Sequence, residues 1–515
     1  MRFLKFLLGL IVVCAIAIFA MRLAFPLPDR PDGPASAAIP VSEETELGRA
    51  MLAATETHPD RSGVVELFDG RDALAARVLL IRAAEESIDA QYYIWQADTT
   101  GFILLDELRQ AAERGVRVRL LLDDNGIPGL DGILAAMNEM ENVEVRIFNP
   151  FTLRSPKLAS YLFDFPRLNR RMHNKAMTFD GAAAVIGGRN IGDIYFAYGE
   201  GVAYFDLDVL GVGPIVDDVS ANFDDYWTSG SVYPAEVVLP ESEDGLSELV
   251  AVAEEARQNA LGSGYREAVA SAPLVAQFVA GNAVLEWTDV TLVSDDPSKG
   301  LGRVDRDLLM MGRLNDILGE PQERVDLVSA YLIPGESGTE LLTNLEARGV
   351  ETRLLTNSLE ATDVAPVHSA WINYRRDLLE AGSEIFELRA RPELDQSTSL
   401  AQLLTGSASS LHAKTFAIDN ERIFIGSFNF DPRSASINTE MGFLIESPSM
   451  AERLSSALGT SRSTYEVMLD ESGDMIWVEE TEAGEEVIHE EEPNTSGFQR
   501  GMVRFMSWLP FEWML

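Results

Sequence analysis

An α/β fold built twice is the architecture this sequence predicts, and three observations predict it. Strand-length and helix-length apolar patterns alternate along the chain, the alternation returns in the same order in the second half, and one histidine–lysine frame recurs with its intervals kept. At 515 residues the chain is too long for one ordinary core, and 46% hydrophobic content is ample for two.

Taken in order, ALAARVLLIRAAEE has helical spacing, SIDAQYYIW reads as a strand, TGFILLDELRQAAERG as a helix and VRVRLLLDD as a strand. LDGILAAMNEM and VEVRIFN supply the next helix and strand. The second half runs ERVDLVSAYLIP, SGTELLTNLEARG, VETRLLTNS, a helix around AWINYRRDLLEAG, and SEIFELR. The helix-to-strand join is nearly repeated in letters, Arg114-Gly115-Val116 and Arg348-Gly349-Val350, with a glycine suited to a helix C-cap in each. The reading divides the chain into an apolar transmembrane anchor or signal segment (1–26), a linker (27–63), a first α/β domain (64–232), a helical connector (233–285), a second α/β domain (286–470), and an acidic stretch with a C-terminal amphipathic segment (471–515).

The N-terminal stretch has Arg2 and Lys5 before an uncharged run from Phe6 to Met21, with Arg22 after it. Sixteen residues give about 24 Å of helix, which spans a bilayer core if Lys5 and Arg22 reach outward to the interfaces. The rival is a cleaved signal peptide; the nearest small-x-small site, Ala35-Ser36-Ala37, lies far from the run, which favours an anchor. Arg2, Lys5 and the terminal amine face Arg22 and Arg30, a narrow margin of charge that puts the catalytic side in the periplasm. The single cysteine, Cys14, lies in this stretch, so neither a disulfide framework nor a cysteine metal site is available.

A net charge of -41 (82 acidic against 41 basic residues) opposes a general nucleic-acid binder. Against that background the segment RRMHNKAMTFDGAAAVIGGRN is anomalous, and Arg154, Lys157, Arg167, Arg170 and Arg171 precede its His173 with only Asp164 opposing them. Such a run is read either as a solvated face or as an attractor of lipid headgroups. The segment holds His173-x-Lys175, Asp180, Gly187-Gly188 and Asn190; later come His412-x-Lys414, Asp419, Gly426-Ser427 and Asn429. In both copies the intervals from His are two to Lys, seven to Asp, fourteen to Gly and seventeen to Asn. Strand period puts His and Lys on one face and the Asp on the other, so Asp180 and Asp419, though part of the frame, position the strand.

Lysines and asparagines would cradle phosphate oxygens, with Gly188 and Ser427 allowing close backbone approach and Arg171 a further basic contact. One neutral histidine would attack phosphorus while the other, protonated, serves the leaving alcohol; residue types alone do not order the two. Asp206 in YFDLDV and Glu440 in NTEMGF, both read as strand residues, are the carboxylates available to tune them. No metal and no cofactor is needed.

These paired frames resemble the phospholipase D superfamily, and DAQYYIWQ, LLLDDNGIPGLD, RLNRRMHNK, VGGRNIGDIYF, LLTNSLEATDVAPVHS, SLHAKTFAID and IGSFNFDPRSASINTEMGF are similar to bacterial cardiolipin synthases of the C type, from about Leu67 to the C-terminus. The resemblance implies two tandem α-β-α sandwich domains forming a pseudo-dimer, with the site at their interface. It also implies transphosphatidylation from phosphatidylglycerol, with phosphatidylethanolamine as a second lipid substrate, at the bacterial inner membrane. By the superfamily's assignment His173 is the nucleophile and His412 the acid/base. The alternatives on the same frame are a hydrolytic phospholipase D and a phosphodiesterase or nuclease. The C-terminal GFQRGMVRFMSWLPFEWML places Phe498, Met502, Phe505, Met506 and Leu509 on one helical face with Trp508 and Trp513 near its end, a stripe that fits an interfacial helix or one docked on a core.

Overall fold

The computed structural model describes residues 2–30, 36–196, 204–259, 266–267, 269–270, 277, 283–305, 308–318, 320–390, 410–459, 463–481 and 484–515. Much of the predicted connector, 260–282, falls outside them.

Local signals build the same unit in each half. Asp69 and Asp98 are N-caps, accepting from the N–H groups of Arg71 and Gly101. Gly115 and Gly349 take φ of +101° and +85°, and the valine after each donates its N–H back to Ala111 or Leu345 at 3.1 and 3.0 Å. This is the helix-ending motif that glycine permits.

In the first half the strands are β1 (Ser62–Leu67), β2 (Ser87–Tyr92), β3 (Arg117–Asp123), β4 (Val143–Phe148), β5 (Lys175–Phe179), β6 (Ala183–Gly187), β7 (Tyr204–Phe205), β8 (Asp208–Val212), β9 (Val232–Pro234) and β10 (Glu286–Thr288). In the second they are β11 (Val290–Ser294), β12 (Arg324–Ser329), β13 (Glu351–Asn357), β14 (Glu384–Leu388), β15 (Ser410–Leu411), β16 (Lys414–Ile418), β17 (Arg422–Gly426), β18 (Met441–Ile445), β19 (Thr464–Leu469), β20 (Met475–Glu480) and β21 (Glu486–His489). The first sheet runs β10-β1-β8-β6-β5-β2-β3-β4-β9 and the second β11-β18-β17-β16-β12-β13-β14-β19-β20-β21. The cores β8-β6-β5-β2-β3-β4 and β18-β17-β16-β12-β13-β14 are therefore the same arrangement, with β2-β3-β4 and β12-β13-β14 parallel and the frame strands antiparallel to them.

The halves meet through one apolar cluster that includes Ile186, Val209 and Val216 from the first and Ile425, Met441 and Phe443 from the second. The space is filled so closely that a Cβ on Gly211 would lie 3.1 Å from the Phe443 ring. A two-stranded parallel sheet, β7 with β15, also joins the halves.

Several details differ from the sequence reading because distant contacts decide them. Residues 36–61, read as linker, are a strap: the Ala38 N–H donates to Asp224 at 2.8 Å, Arg119 donates to the Ser36 carbonyl at 2.7 Å, and a helix (Glu46–Thr55) buries Leu47 and Met51 in the first core. Strand β10 pairs with β1, so 286–288 completes the first sheet. The second sheet reaches His489 and takes in part of the acidic stretch as the β20–β21 hairpin. The helix around AWINYRRDLLEAG is two, Ala365–Trp371 and Arg375–Ala381, whose break lets Trp371 and Arg375 both donate to the buried Glu387 at 2.9 and 2.7 Å.

At the N-terminus α1 (Arg2–Ala24) contains a 20-residue span, Lys5–Ala24, of mean hydropathy 2.6 with none of it buried. Further helices of the first half are α2 (Glu46–Thr55), α3 (Gly70–Ala83), α4 (Thr99–Glu113), α5 (Asp131–Asn138), α6 (Tyr161–Leu168) and α7 (Ile215–Trp227).

Candidate active site

Both histidines lie at the seam, just ahead of β5 and β16, and the seam is built by exchange. The His173 N–H donates to the Thr439 carbonyl at 2.9 Å, and the His412 N–H to the Phe205 carbonyl at 2.7 Å. Each acceptor immediately precedes a carboxylate. His173 Nδ1 is 2.8 Å from Glu440 Oε2 and 3.1 Å from the Ser427 carbonyl, and His412 Nδ1 is 2.5 Å from Asp206 Oδ2. Each of these two imidazoles is thus oriented through Nδ1 by a carboxylate from the opposite half, which leaves Nε2 without a hydrogen bond among the described residues and available for chemistry. Asp206 and Glu440 are not strand residues as read from sequence; each sits in the irregular stretch just ahead of β8 or β18. There the chain can direct a carboxylate across the seam.

The lysines are buried beside their histidines: Lys175 Nζ donates to the His173 carbonyl at 2.6 Å and Lys414 Nζ to that of His412. Asn190 and Asn429 are also buried, and Asn190 Oδ1 accepts the Ile94 N–H at 3.2 Å while its Nδ2 finds no acceptor among the described residues.

Aromatic rings that the sequence reading missed wall the imidazoles. Tyr93 packs edge-on to His173 at 5.0 Å, and Tyr204 stacks on His412 at 5.1 Å with Tyr195 at 5.1 Å. Tyr204 and Tyr331, from opposite halves, both donate to Asp363 at 2.9 and 3.1 Å. A tyrosine ending a strand beside the frame, as in DAQYYIWQ, was the one available signal.

Burial and mutual charge set the protonation states. Desolvation, with Lys175, Lys414 and His412 adding to it, holds His173 well below the ordinary histidine range. Burial and Lys414 outweigh Asp206 to bring His412 to about 4. Burial draws Lys175 to about 7 and Lys414 to about 8. The two carboxylates diverge: burial raises Glu440 to about 7 despite Lys175, whereas for Asp206 the charges of His412 and Lys414 overcome burial and hold it well below its usual value.

Other residues proposed from sequence do different work. Asp180 accepts the N–H groups of Glu85, Glu86 and Ser87 at 2.9–3.0 Å, and Asp419 those of Gln322, Glu323 and Arg324 at 2.8–3.1 Å. Both hold the loop entering the neighbouring strand. At Gly188 an added Cβ would lie 2.0 Å from Asp206 Oδ1, and Ser427 Oγ donates to Glu440 at 2.5 Å. These small residues admit the orienting carboxylates, a correction to the reading that they admit substrate.

Arg171 is likewise corrected. It is 1% exposed, with its guanidinium committed to Asp123 at 2.9 Å and to the carbonyls of Asn149 and Arg170 at 2.7 and 3.0 Å. Arg154 and Lys157 are engaged by Asp124 and Asp131, and Arg167 by Asp164 at 2.6 Å. The basic run is therefore largely neutralised internally rather than offered to headgroups. Burial already raises Asp123 to about 6 against the opposing charge of Arg171. Replacing Arg171 by Ala is expected to destabilise the fold by about 3–5 kcal/mol, read by denaturant unfolding, with no separate effect on KM in the folded fraction. A raised KM at full stability would restore it to the substrate site.

Two matched α/β halves that bring two histidine–lysine pairs to one seam define an enzyme of the phospholipase D superfamily. The signature of the family described as "Cardiolipin synthase, PLD-like domain" matches residues 78–227 and 314–460, once in each half, and the chain belongs to this family. It is similar to cardiolipin synthase C of Escherichia coli (strain K12), 44% identical over 473 residues that cover 91% of this chain and 99% of that one. It is also similar to an uncharacterized protein of Helicobacter pylori (strain J99), 32% identical over 473 residues, 90% of this chain and 92% of that one. Among solved structures, phosphatidylserine synthase of Haemophilus influenzae Rd KW20 shares the fold, with a TM-score of 0.51 at 15% identity over 81% of this chain and 92% of that one.

Proposed function

We propose that the chain is a membrane-anchored phosphatidyltransferase that makes cardiolipin by transphosphatidylation through a phosphohistidine. The observation that carries this reading is the crossed pairing of each imidazole with a carboxylate from the other half, beside two buried lysines, in a chain 44% identical to cardiolipin synthase C. Neutral His173 attacks phosphorus of phosphatidylglycerol through Nε2. The bond to the headgroup oxygen breaks, and His412, charged when the anionic substrate sits beside it, gives that oxygen its proton. In the second half-reaction His412 takes the proton of an acceptor alcohol, whose oxygen attacks phosphorus and releases His173. Lys175, Lys414, Asn190 and Asn429 hold the nonbridging oxygens as charge develops. The acceptor is a second phosphatidylglycerol, with phosphatidylethanolamine as an alternative lipid substrate. The site of action is the bacterial inner membrane, with α1 as anchor and the catalytic halves on its periplasmic side.

Expression in a host lacking its own cardiolipin synthases, followed by mass spectrometry of extracted lipids, tests the reading. Cardiolipin is expected; phosphatidic acid alone points to a hydrolytic phospholipase, and nucleic-acid cleavage without lipid turnover to a nuclease.

A pH dependence follows from the lysines. Both are protonated below about 7 and have lost their protons above about 8, so anion affinity is full at the lower pH and falls as pH rises. The inhibition constant of inorganic phosphate, corrected for its own ionisation, is expected to increase between pH 7 and 9 by up to roughly tenfold per unit for each lysine that deprotonates. A flat profile would remove the lysines from the anion site.

A further inference from the structure

Apolar side chains are left in water on two separate elements, α6 and the C-terminal helix, that Arg433 ties together. The C-terminal helix Gly497–Met506 is well formed, with a capping box between Ser496 and Gln499, and it buries Val503 against the second half. Yet Phe498 and Phe505 on its outer face, and Trp508 and Trp513 beyond it, are 78%, 59%, 77% and 57% exposed. Together they leave about 500 Å² of aromatic surface in solvent. On the other element, α6 and the turn before it, Leu158 and Leu162 are 70% and 78% exposed.

Two sets of contacts relate these patches to each other, to α1 and to the site. Where α1 ends, Arg22 donates to the Phe163 carbonyl in α6 at 2.6 Å and Phe25 stacks on Phe163. The span therefore leaves the protein at α6. Arg433 then ties α6 to the C-terminus: its guanidinium donates to the Asn169 side chain at 3.0 Å, the Asn169 carbonyl at 2.8 Å and the Met514 carbonyl at 2.7 Å, while its N–H donates to Leu515 at 2.8 Å. Asn169 is four residues before His173, and Arg433 four after Asn429.

We propose that α6 and the C-terminal helix are two lips that insert into one leaflet of the phospholipid bilayer, the leaflet at which α1 emerges, so that lipid substrates pass from the bilayer to the histidines between them. The inference rests on the reading that the substrates are membrane lipids. Its occupant is a bilayer because the exposed side chains continue an unburied 20-residue apolar span, and because tryptophans at the end of an amphipathic helix suit the headgroup boundary. With a net charge of -41, attachment through the lips comes from apolar insertion rather than attraction to anionic lipid, and is insensitive to salt.

The test uses the full chain reconstituted in phosphatidylcholine vesicles, with and without brominated acyl chains. Bromine is expected to quench part of the tryptophan emission, the quenched part to vanish in Trp508→Phe/Trp513→Phe, and quenching to return when Leu162→Trp is added to that double variant. Equal quenching of wild type and double variant, or a detergent-solubilised dimer that covers these tryptophans while the vesicle form is not quenched, overturns the proposal. In phosphatidylcholine vesicles that also contain phosphatidylglycerol, Phe498→Ser/Phe505→Ser is expected to lower turnover of bilayer phosphatidylglycerol at least tenfold while turnover of a monomeric short-chain phosphatidylglycerol is unchanged. Equal loss on both substrates also overturns it. A wild type inactive on both would count against the proposed reaction, and quenching would still decide the lips.

Discussion

Replacing His173 by alanine is expected to reduce lipid turnover by roughly 10⁴-fold or more, and replacing His412 by alanine to do the same, yet the two enzymes should stop at different points. His173 is held well below the ordinary histidine range by burial, with Lys175 and Lys414 beside it. His412 shares a 2.5 Å contact with Asp206, whose own charge is secured by His412 and Lys414. A carboxylate that stays ionised supports an imidazolium once the anionic substrate is beside it, which is why the proposed reaction puts the proton donor at His412 and the nucleophile at His173.

A nitrophenyl phosphodiester separates these roles because its leaving group departs without protonation. With this substrate His412→Ala should release close to one equivalent of nitrophenol in a burst and then stall, since nothing deprotonates the acceptor, and an acid-labile phosphohistidine at His173 should be recovered by mass spectrometry. His173→Ala should give no burst. A burst from His173→Ala and none from His412→Ala would exchange the assignments.

What sequence reading reached, and what it missed, divides by the range of the interactions involved. The duplicated frame, the strand–helix alternation that supplies β2, β3, β4 and β12, β13, β14, and the capping glycines Gly115 and Gly349 all depend on neighbours in the chain, where side-chain period and φ preference are decisive. The partners of the histidines do not. His173 meets Glu440 across 267 residues and His412 meets Asp206 across 206. The sequence offered both carboxylates as candidates but placed each downstream in its own copy, with nothing to reveal the exchange. Arg171 misled for the same reason, because its neutralising Asp123 comes from the end of another strand, 48 residues away. The strap at 36–61 has linker composition, and its contacts with Asp224, Arg119 and the first core order it.

The exchange has a kinetic consequence that also separates the two carboxylates. Asp206→Asn removes a charge that is fully present at neutral pH, so His412 loses the partner that makes it an acid, and kcat is expected to fall about 10²–10⁴-fold. Glu440, raised to about 7 by burial, titrates in the neutral range, and Glu440→Gln keeps a similar shape. Its loss should be smaller, and it should flatten the pH–rate profile near neutrality rather than lower it throughout. Gly188→Ala should imitate Asp206→Asn, because the new methyl group would occupy the place of Asp206 Oδ1. If Asp206 acts through His412 across the seam, Asp206→Asn added to His412→Ala costs almost nothing further, whereas added to His173→Asn it lowers whatever residual acid-assisted turnover remains. Additive losses in the first pair would make Asp206 an independent contributor and dissolve the link between the halves.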